Sequence, residues 1–465
     1  MDVKLDWEIE AEQATYNNLG ERPHDIRQRR ANYRRVVLAV LIVAGLVLGV
    51  IGVFLARLWY VDSTIERQLR DTIAAETAAL RLGDIAAYLY VQRSGSDAWM
   101  LGQADLFWQY QQAKLEGNLQ LTGRVLDLEI DQNRARASVE EILDGQRYQV
   151  VWFYWRYEDG WRHVPMDVTF WGGDAVYEGP NVTVFYGRLD EALVQTLAPA
   201  LERLWNQGCD WLACAAPPLP LIVQVMPDPT VGVSWSPDNA DALRIASPLT
   251  GRARVDVPLE PELVRQVGAV LARRLISHAR ADLNPLPGTD AVFLKGALED
   301  WLTGRFLGDG GALGSSFVES LVRAYGEGAV ATLAHNLASD SSVAVLSAAF
   351  MSPLDALPVE WREFFQWRLA LEPFLLAQGE YARLLALYDE LAQNEAQVLI
   401  NDPAAATRRP LTVLRVVIGP GSDGVSRAWA VVRYPDGSEG PITFRLVDGV
   451  WRRSVYDPAY QVYDQ

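Results

Sequence analysis

The chain has 465 residues, half of them apolar and 22% charged, a balance that favours several packed cores over a disordered chain. Its net charge of −17 argues against a nucleic-acid partner and against docking on anionic lipid. Residues 1–35 are polar and end in a cluster of arginines, among them Arg27, Arg29, Arg30, Arg34 and Arg35. Val36 to Ala56 then runs for 21 residues without a charge, about 31 Å as a helix, which matches the hydrocarbon core of a bilayer. The positive-inside rule puts residues 1–35 in the cytoplasm and the bulk of the chain outside the cell membrane. A cleaved leader is the competing reading, but Phe54-Leu55-Ala56-Arg57-Leu58-Trp59 is a poor cleavage site.

The first module after the 36–57 span covers 62–164. A helical run from Ile65 to Arg81 is followed by Gly83-Asp84-Ile85-Ala86-Ala87-Tyr88, then by strand patterns beginning at Val125. The same order returns at 359–465: a helix from Phe364 to Ala377, Gly379-Glu380-Tyr381-Ala382, and strands from Val413. Asp-Gly turns stand at Asp144-Gly145 and Asp436-Gly437, and each copy closes on a turn followed by a Trp-Arg strand, at Asp159-Gly160-Trp161-Arg162 and Asp448-Gly449-Val450-Trp451-Arg452. Helices followed by a curved antiparallel sheet resemble the nuclear transport factor 2-like fold. That resemblance implies two α+β cones and, since the fold hosts many roles, no particular function. In the first copy, Phe153, Trp155 and Tyr157 alternate with Trp152 and Tyr154. One face should be sheet core; the other is read as packing surface rather than a stacking platform.

The central module covers 165–358. Strands are expected at Asn181–Tyr186, Leu219–Val225 and Ala242–Ser247, helices at Leu189–Trp205, Glu262–Ala279 and Ala291–Phe306. Asn181-Val182-Thr183 matches a glycosylation sequon but reads as strand. Cys209 and Cys214 are the only cysteines. Export and an even count at short spacing fit a disulfide, with two buried thiols as the alternative. On the long helix stands Arg273-Arg274-Leu275-Ile276-Ser277-His278, and 17 residues after His278 comes Lys295-Gly296-Ala297-Leu298. These segments resemble the H-E-x-x-H and distal glutamate motifs of the gluzincin (thermolysin-type, peptidase MA) metallopeptidases.

The resemblance implies an α+β peptidase-like domain whose zinc-site positions are Arg274, Leu275, His278 and Lys295. Two of the three ligand positions hold cations, and the general-base position holds leucine. One imidazole between two fixed cations is a poor site for a dication. No metal, no cofactor and no catalytic residue are therefore expected, and the purified ectodomain should hold no stoichiometric zinc. Instead, Lys295 and Arg274 are expected to form a salt bridge across the cleft with Glu299 or Asp300. An anion site made by Arg274, His278 and Lys295 ranks below it. His24 is expected in the cytoplasm, His163 and His335 stand alone, and no G-x-S-x-G, Walker A or G-x-G-x-x-G motif is present. The fold class expected is α+β multidomain: a transmembrane helix, one α+β cone, a gluzincin-like domain and a second cone. The function expected is a non-catalytic, membrane-anchored pseudopeptidase that binds a peptide or protein in its relic cleft. The alternative is a transmembrane signalling protein, in which residues 1–35, with Trp7 in an acidic stretch, dock on a cytoplasmic protein.

Overall fold

The computed structural model describes residues 23–216, 219–239, 241–307, 315–407 and 411–460. The acidic segment around Trp7 lies outside them. The fold is α+β, and the chain divides into two compact units. Unit 1 comprises residues 1–115, 128–135 and 153–165; unit 2 comprises 116–127, 136–152 and 166–465.

Unit 1 begins with one unbroken helix, α1 (Pro23–Leu82), of 60 residues. From Val36 to Leu55 its large apolar side chains are exposed, and this stretch is long and apolar enough to cross a membrane. From Leu69 onward the same helix turns one face inward. Leu69, Ile73, Glu76, Thr77 and Leu80 are buried at the three- and four-residue spacing of a helical stripe. The helix stops at Gly83, whose φ of 74° is the left-handed conformation that glycine adopts without a Cβ penalty. Asp84 then caps α2 (Ile85–Val91), accepting the Ala87 amide at 2.9 Å, and α3 (Asp97–Leu115) follows. Within this unit the end of β3 (Gln146–Tyr157) pairs antiparallel with β4 (Gly160–Val164), Tyr154 opposite His163.

Unit 2 holds most of the strands. Of β1 (Leu119–Asp131), β2 (Arg134–Leu143) and β3 it holds residues 119–127, 136–143 and 146–152, which lie side by side in sequence order, and β10 (Arg252–Arg254) adds to the edge of β3 through Arg252 opposite Val150. The β2–β3 turn is Asp144-Gly145, both at positive φ as a two-residue type I′ hairpin requires. A second, mixed sheet runs β5-β6-β7-β9-β8. Its middle strands β6 (Val182–Gly187), β7 (Leu221–Met226) and β9 (Ala242–Ala246) are parallel; β5 (Asp174–Glu178) and β8 (Val233–Trp235) are antiparallel edges. Helices α4 (Glu191–Leu212), α5 (Pro261–Ala279) and α6 (Asp290–Leu307) pack with it. The buried stripe of α5 is Val264, Val267, Leu271, Ala272, Leu275 and Ile276.

The chain continues through α7 (Ser316–Tyr325), α8 (Gly328–Asn336) and α9 (Val345–Phe350) into α10 (Arg362–Gln378), α11 (Tyr381–Ala386) and α12 (Gln393–Ile400). It closes with an antiparallel sheet of β11 (Thr412–Pro420), β12 (Ser426–Arg433), β13 (Glu439–Val447) and β14 (Val450–Ser454) in sequence order. One apolar core runs without a break from Val182 on β6 to Trp451 on β14. Edge-to-face ring contacts carry it across residue 358: Phe293 on Phe364 and Phe317 on Trp361.

Candidate functional site

The residues of the degenerate motif lie on α5 and α6, and two of them reach one pocket. Residues four apart share a helix face, so Arg274 and His278 point the same way, with Ser277 beside them. They face Trp205 of α4, Leu219 ahead of β7, Trp235 of β8 and Asp241 ahead of β9, around a pocket of about 270 Å³. Arg274 Nη2 donates to Asp241 Oδ1 at 2.6 Å, and its guanidinium carbon lies 5.2 Å from the Trp235 ring centre. The two side chains are 37% and 47% exposed, so the ion pair contributes about 1 kcal/mol at most. His278 Nε2 lies 3.1 Å from the Ala216 carbonyl oxygen.

The other two positions of the motif point elsewhere. Leu275 is fully buried, seated on Gly208 of α4; a Cβ at that glycine would meet Leu275 Cδ1 at 2.4 Å. The position read as a general base is therefore part of the core. Lys295 does not line the pocket. Its ammonium lies 3.9 Å from Glu299 Oε1, while Arg273 approaches Glu299 Oε2 at the same distance. Glu299 thus sits between Lys295 and Arg273. The expectation that Arg274 reaches Glu299 or Asp300 is corrected: α5 presents its neighbour Arg273 to Glu299 and turns Arg274 towards Asp241. The three-cation anion site is likewise divided, with Arg274 and His278 at the pocket and Lys295 bound to Glu299. Burial raises the Glu299 carboxyl above its ordinary range, with Lys295 and Arg273 opposing. Burial, reinforced by the Glu363 carboxylate, raises Asp300, which lines a separate pocket of about 490 Å³ with Phe293 and Trp367.

Cys209, in the last turn of α4, and Cys214, just past it, form a disulfide with a Cα–Cα distance of 5.1 Å. Asn181 gives its side-chain amide to Asn206 at 2.8 Å.

A polar cluster in unit 1 escaped the sequence reading. Glu76, fully buried on α1, accepts from Tyr154 Oη at 2.8 Å and Gln92 Nε2 at 2.8 Å, and lies 2.7 Å from His163 Nδ1. The histidine expected to stand alone is thus held by a carboxylate. Burial, with Glu76 beside it, holds the Tyr154 phenol well above its ordinary value of 10.0.

Unit 2 carries the counterpart. Glu372 of α10 accepts from Arg453 Nη1 of β14 at 2.7 Å, and Arg453 also donates to Tyr388 Oη at 3.2 Å. Glu76 and Glu372 each stand seven residues before the helix-ending glycine, and Gln92 and Tyr388 each nine residues after it. His163 and Arg453 each stand two residues after a buried tryptophan, Trp161 and Trp451. An isolated parallel bridge joins Gln92 to His163 in one copy and Tyr388 to Arg453 in the other. The signal was available: aligning the chain with itself on Gly83 and Gly379 pairs each carboxylate with its counterpart. Beside Glu372 and Arg453 lies a mainly apolar pocket of about 480 Å³, walled by Leu369, Leu376, Leu411 and Tyr434. No family model, no curated protein and no solved structure matches the chain, so its function is read from this geometry.

Proposed function

We propose that the chain is a single-pass, membrane-anchored, extracytoplasmic binding protein: a peptidase relative that holds a peptide without cutting it. The observation that carries this reading is the Arg274–Asp241 pair at the mouth of a pocket walled by two indoles. A guanidinium that is partly exposed and weakly paired is free to exchange its carboxylate for that of a ligand. Trp205, Trp235 and Leu219 supply apolar surface for the adjoining side chain. Hydrolysis by the gluzincin route has no support here, because the base position is a core leucine and one ligand position is an arginine held by Asp241. The apolar stretch of α1 supports the anchor, and the arginines ahead of it support the orientation.

The test is a titration of the detergent-solubilised full chain with short peptides bearing a free or an amidated C-terminus. Free-carboxylate peptides should quench the tryptophan fluorescence, and amidated ones should bind at least about tenfold more weakly, the usual scale for losing a charge-assisted hydrogen bond. Arg274→Ala should remove the difference between the two, and mass spectrometry should recover every peptide intact. Equal binding of both peptide sets, or their cleavage, would overturn the reading.

A further inference from the structure

The sulfurs of Cys209 and Cys214 and a ring nitrogen of His278 all lie within 4.8 Å of one another. The sequence pairs the two cysteines, five residues apart at the end of α4, but nothing in it joins them to His278 on α5. Cys209 is buried, Cys214 half-buried and His278 exposed, so the group has an inner wall and an outer rim. The Ala216 carbonyl oxygen lies 3.1 Å from His278 Nε2. Donation from Nε2–H to that carbonyl fixes the ring and leaves the Nδ1 lone pair free, the arrangement by which a backbone carbonyl orients a metal-bound imidazole.

We propose that Cys209, Cys214 and His278 are a zinc site that the disulfide closes and reduction opens. A dithiol reductant gives two electrons to the Cys209–Cys214 bond. The S–S bond breaks, each sulfur takes a proton from the reductant, and the reductant leaves as its own disulfide. Zinc binding then releases both thiol protons, and two thiolates and the imidazole donate to the metal. The two cysteine Cα atoms are 5.1 Å apart, so rotation of the side chains separates the sulfurs to the roughly 3.8 Å between thiolates on one tetrahedral zinc. Two thiolates neutralise the dication. Arg274, one turn before His278, is already countered by Asp241 at 2.6 Å. Three protein ligands leave a fourth position for water, the open arrangement of zinc sites that do chemistry. Of the residues lining the peptide pocket only His278 takes part, and the metal assay reads out separately from the peptide titration, so the two readings fail distinguishably.

The experiment uses the full chain in detergent. Oxidised protein and protein reduced with a phosphine are each given zinc chloride, passed through a desalting column and assayed for metal by mass spectrometry. The reduced wild type should keep about one zinc per chain and the oxidised wild type none. Cobalt chloride in place of zinc should give the reduced protein a thiolate-to-cobalt charge-transfer band. His278→Ala leaves the disulfide untouched and so folds as the wild type does, which circular dichroism of the oxidised form checks. Once reduced, it should bind zinc at least about tenfold more weakly, the usual loss when a ligand's support is removed. A reduced wild type that keeps no zinc, equal zinc in both redox forms, or His278→Ala matching the wild type would each overturn the proposal.

Discussion

Asp300 shows how burial, with a neighbouring carboxylate, makes one side chain a pH sensor for stability. Its carboxyl is raised from 3.8, first by burial and then by Glu363. The folded state therefore holds a proton that the unfolded state gives up as the pH rises above 3.8. The contribution of Asp300 is full below that value and is lost as the pH climbs through its folded value. Asp300→Asn removes the ionisation, so it should raise the melting temperature at about pH 7 and leave it nearly unchanged at about pH 3. Melting curves of both proteins across that range check this; a lower melting temperature for the variant at neutral pH would contradict it. Leu275 carries the opposite lesson. A motif comparison sees a missing base, whereas the side chain fills the space above Gly208.

At the scale of elements, the repeated unit is a helix, a glycine stop, a short helix and an antiparallel sheet, bolted by a buried carboxylate. Removing Glu76 takes the acceptor from Tyr154 Oη and Gln92 Nε2 in the core, so Glu76→Ala should cost about 3–5 kcal/mol, the scale for leaving two buried donors without that acceptor. Glu76→Gln keeps one acceptor and should cost less; denaturant unfolding of the two variants measures the difference, and equal costs would mean that the charge plays no part. What was legible in the sequence was local. The apolar stretch of α1, the Asp-Gly turns, the glycine stops and the close cysteine pair each lie within a few residues. What was not legible joins residues far apart. Glu76 to His163 spans 87 residues, Arg274 to Asp241 spans 33, and β10 meets β3 across more than a hundred. No periodicity encodes which long-range partner a charge will find, so the Arg274 partner was misassigned and the Glu76 cluster was missed.

At the scale of the molecule, unit 2 is bound by one main core, by smaller apolar clusters beside it and by buried ion pairs. Asp290 at the start of α6 accepts Arg368 of α10 at 3.1 Å and the Val343 amide at 3.0 Å, and both charged side chains are 95% or more buried. Burial pushes the Arg368 guanidinium down from its ordinary value, with Asp290 opposing. Asp290→Ala leaves that cation unpaired across the span that the sequence reads as a domain boundary. It should destabilise the protein by about 3–5 kcal/mol. It should do so in one transition that removes the 165–358 and 359–465 regions together, which hydrogen exchange would follow. Loss of protection confined to one side of residue 358 would show two independent folding units.

The unbroken run of α1 fixes more than position. No loop or turn interrupts the helix between the apolar stretch ending at Leu55 and the buried stripe that begins at Leu69. Each residue of a helix advances the azimuth by about 100°. The side of α1 that faces its surroundings at Val36–Leu55 is therefore locked in phase with the side that carries Glu76. The connection works as a rigid shaft rather than a tether. A twist applied at one end arrives at the other, and one extra residue between them would rotate the whole apolar stretch against the core by more than a quarter turn.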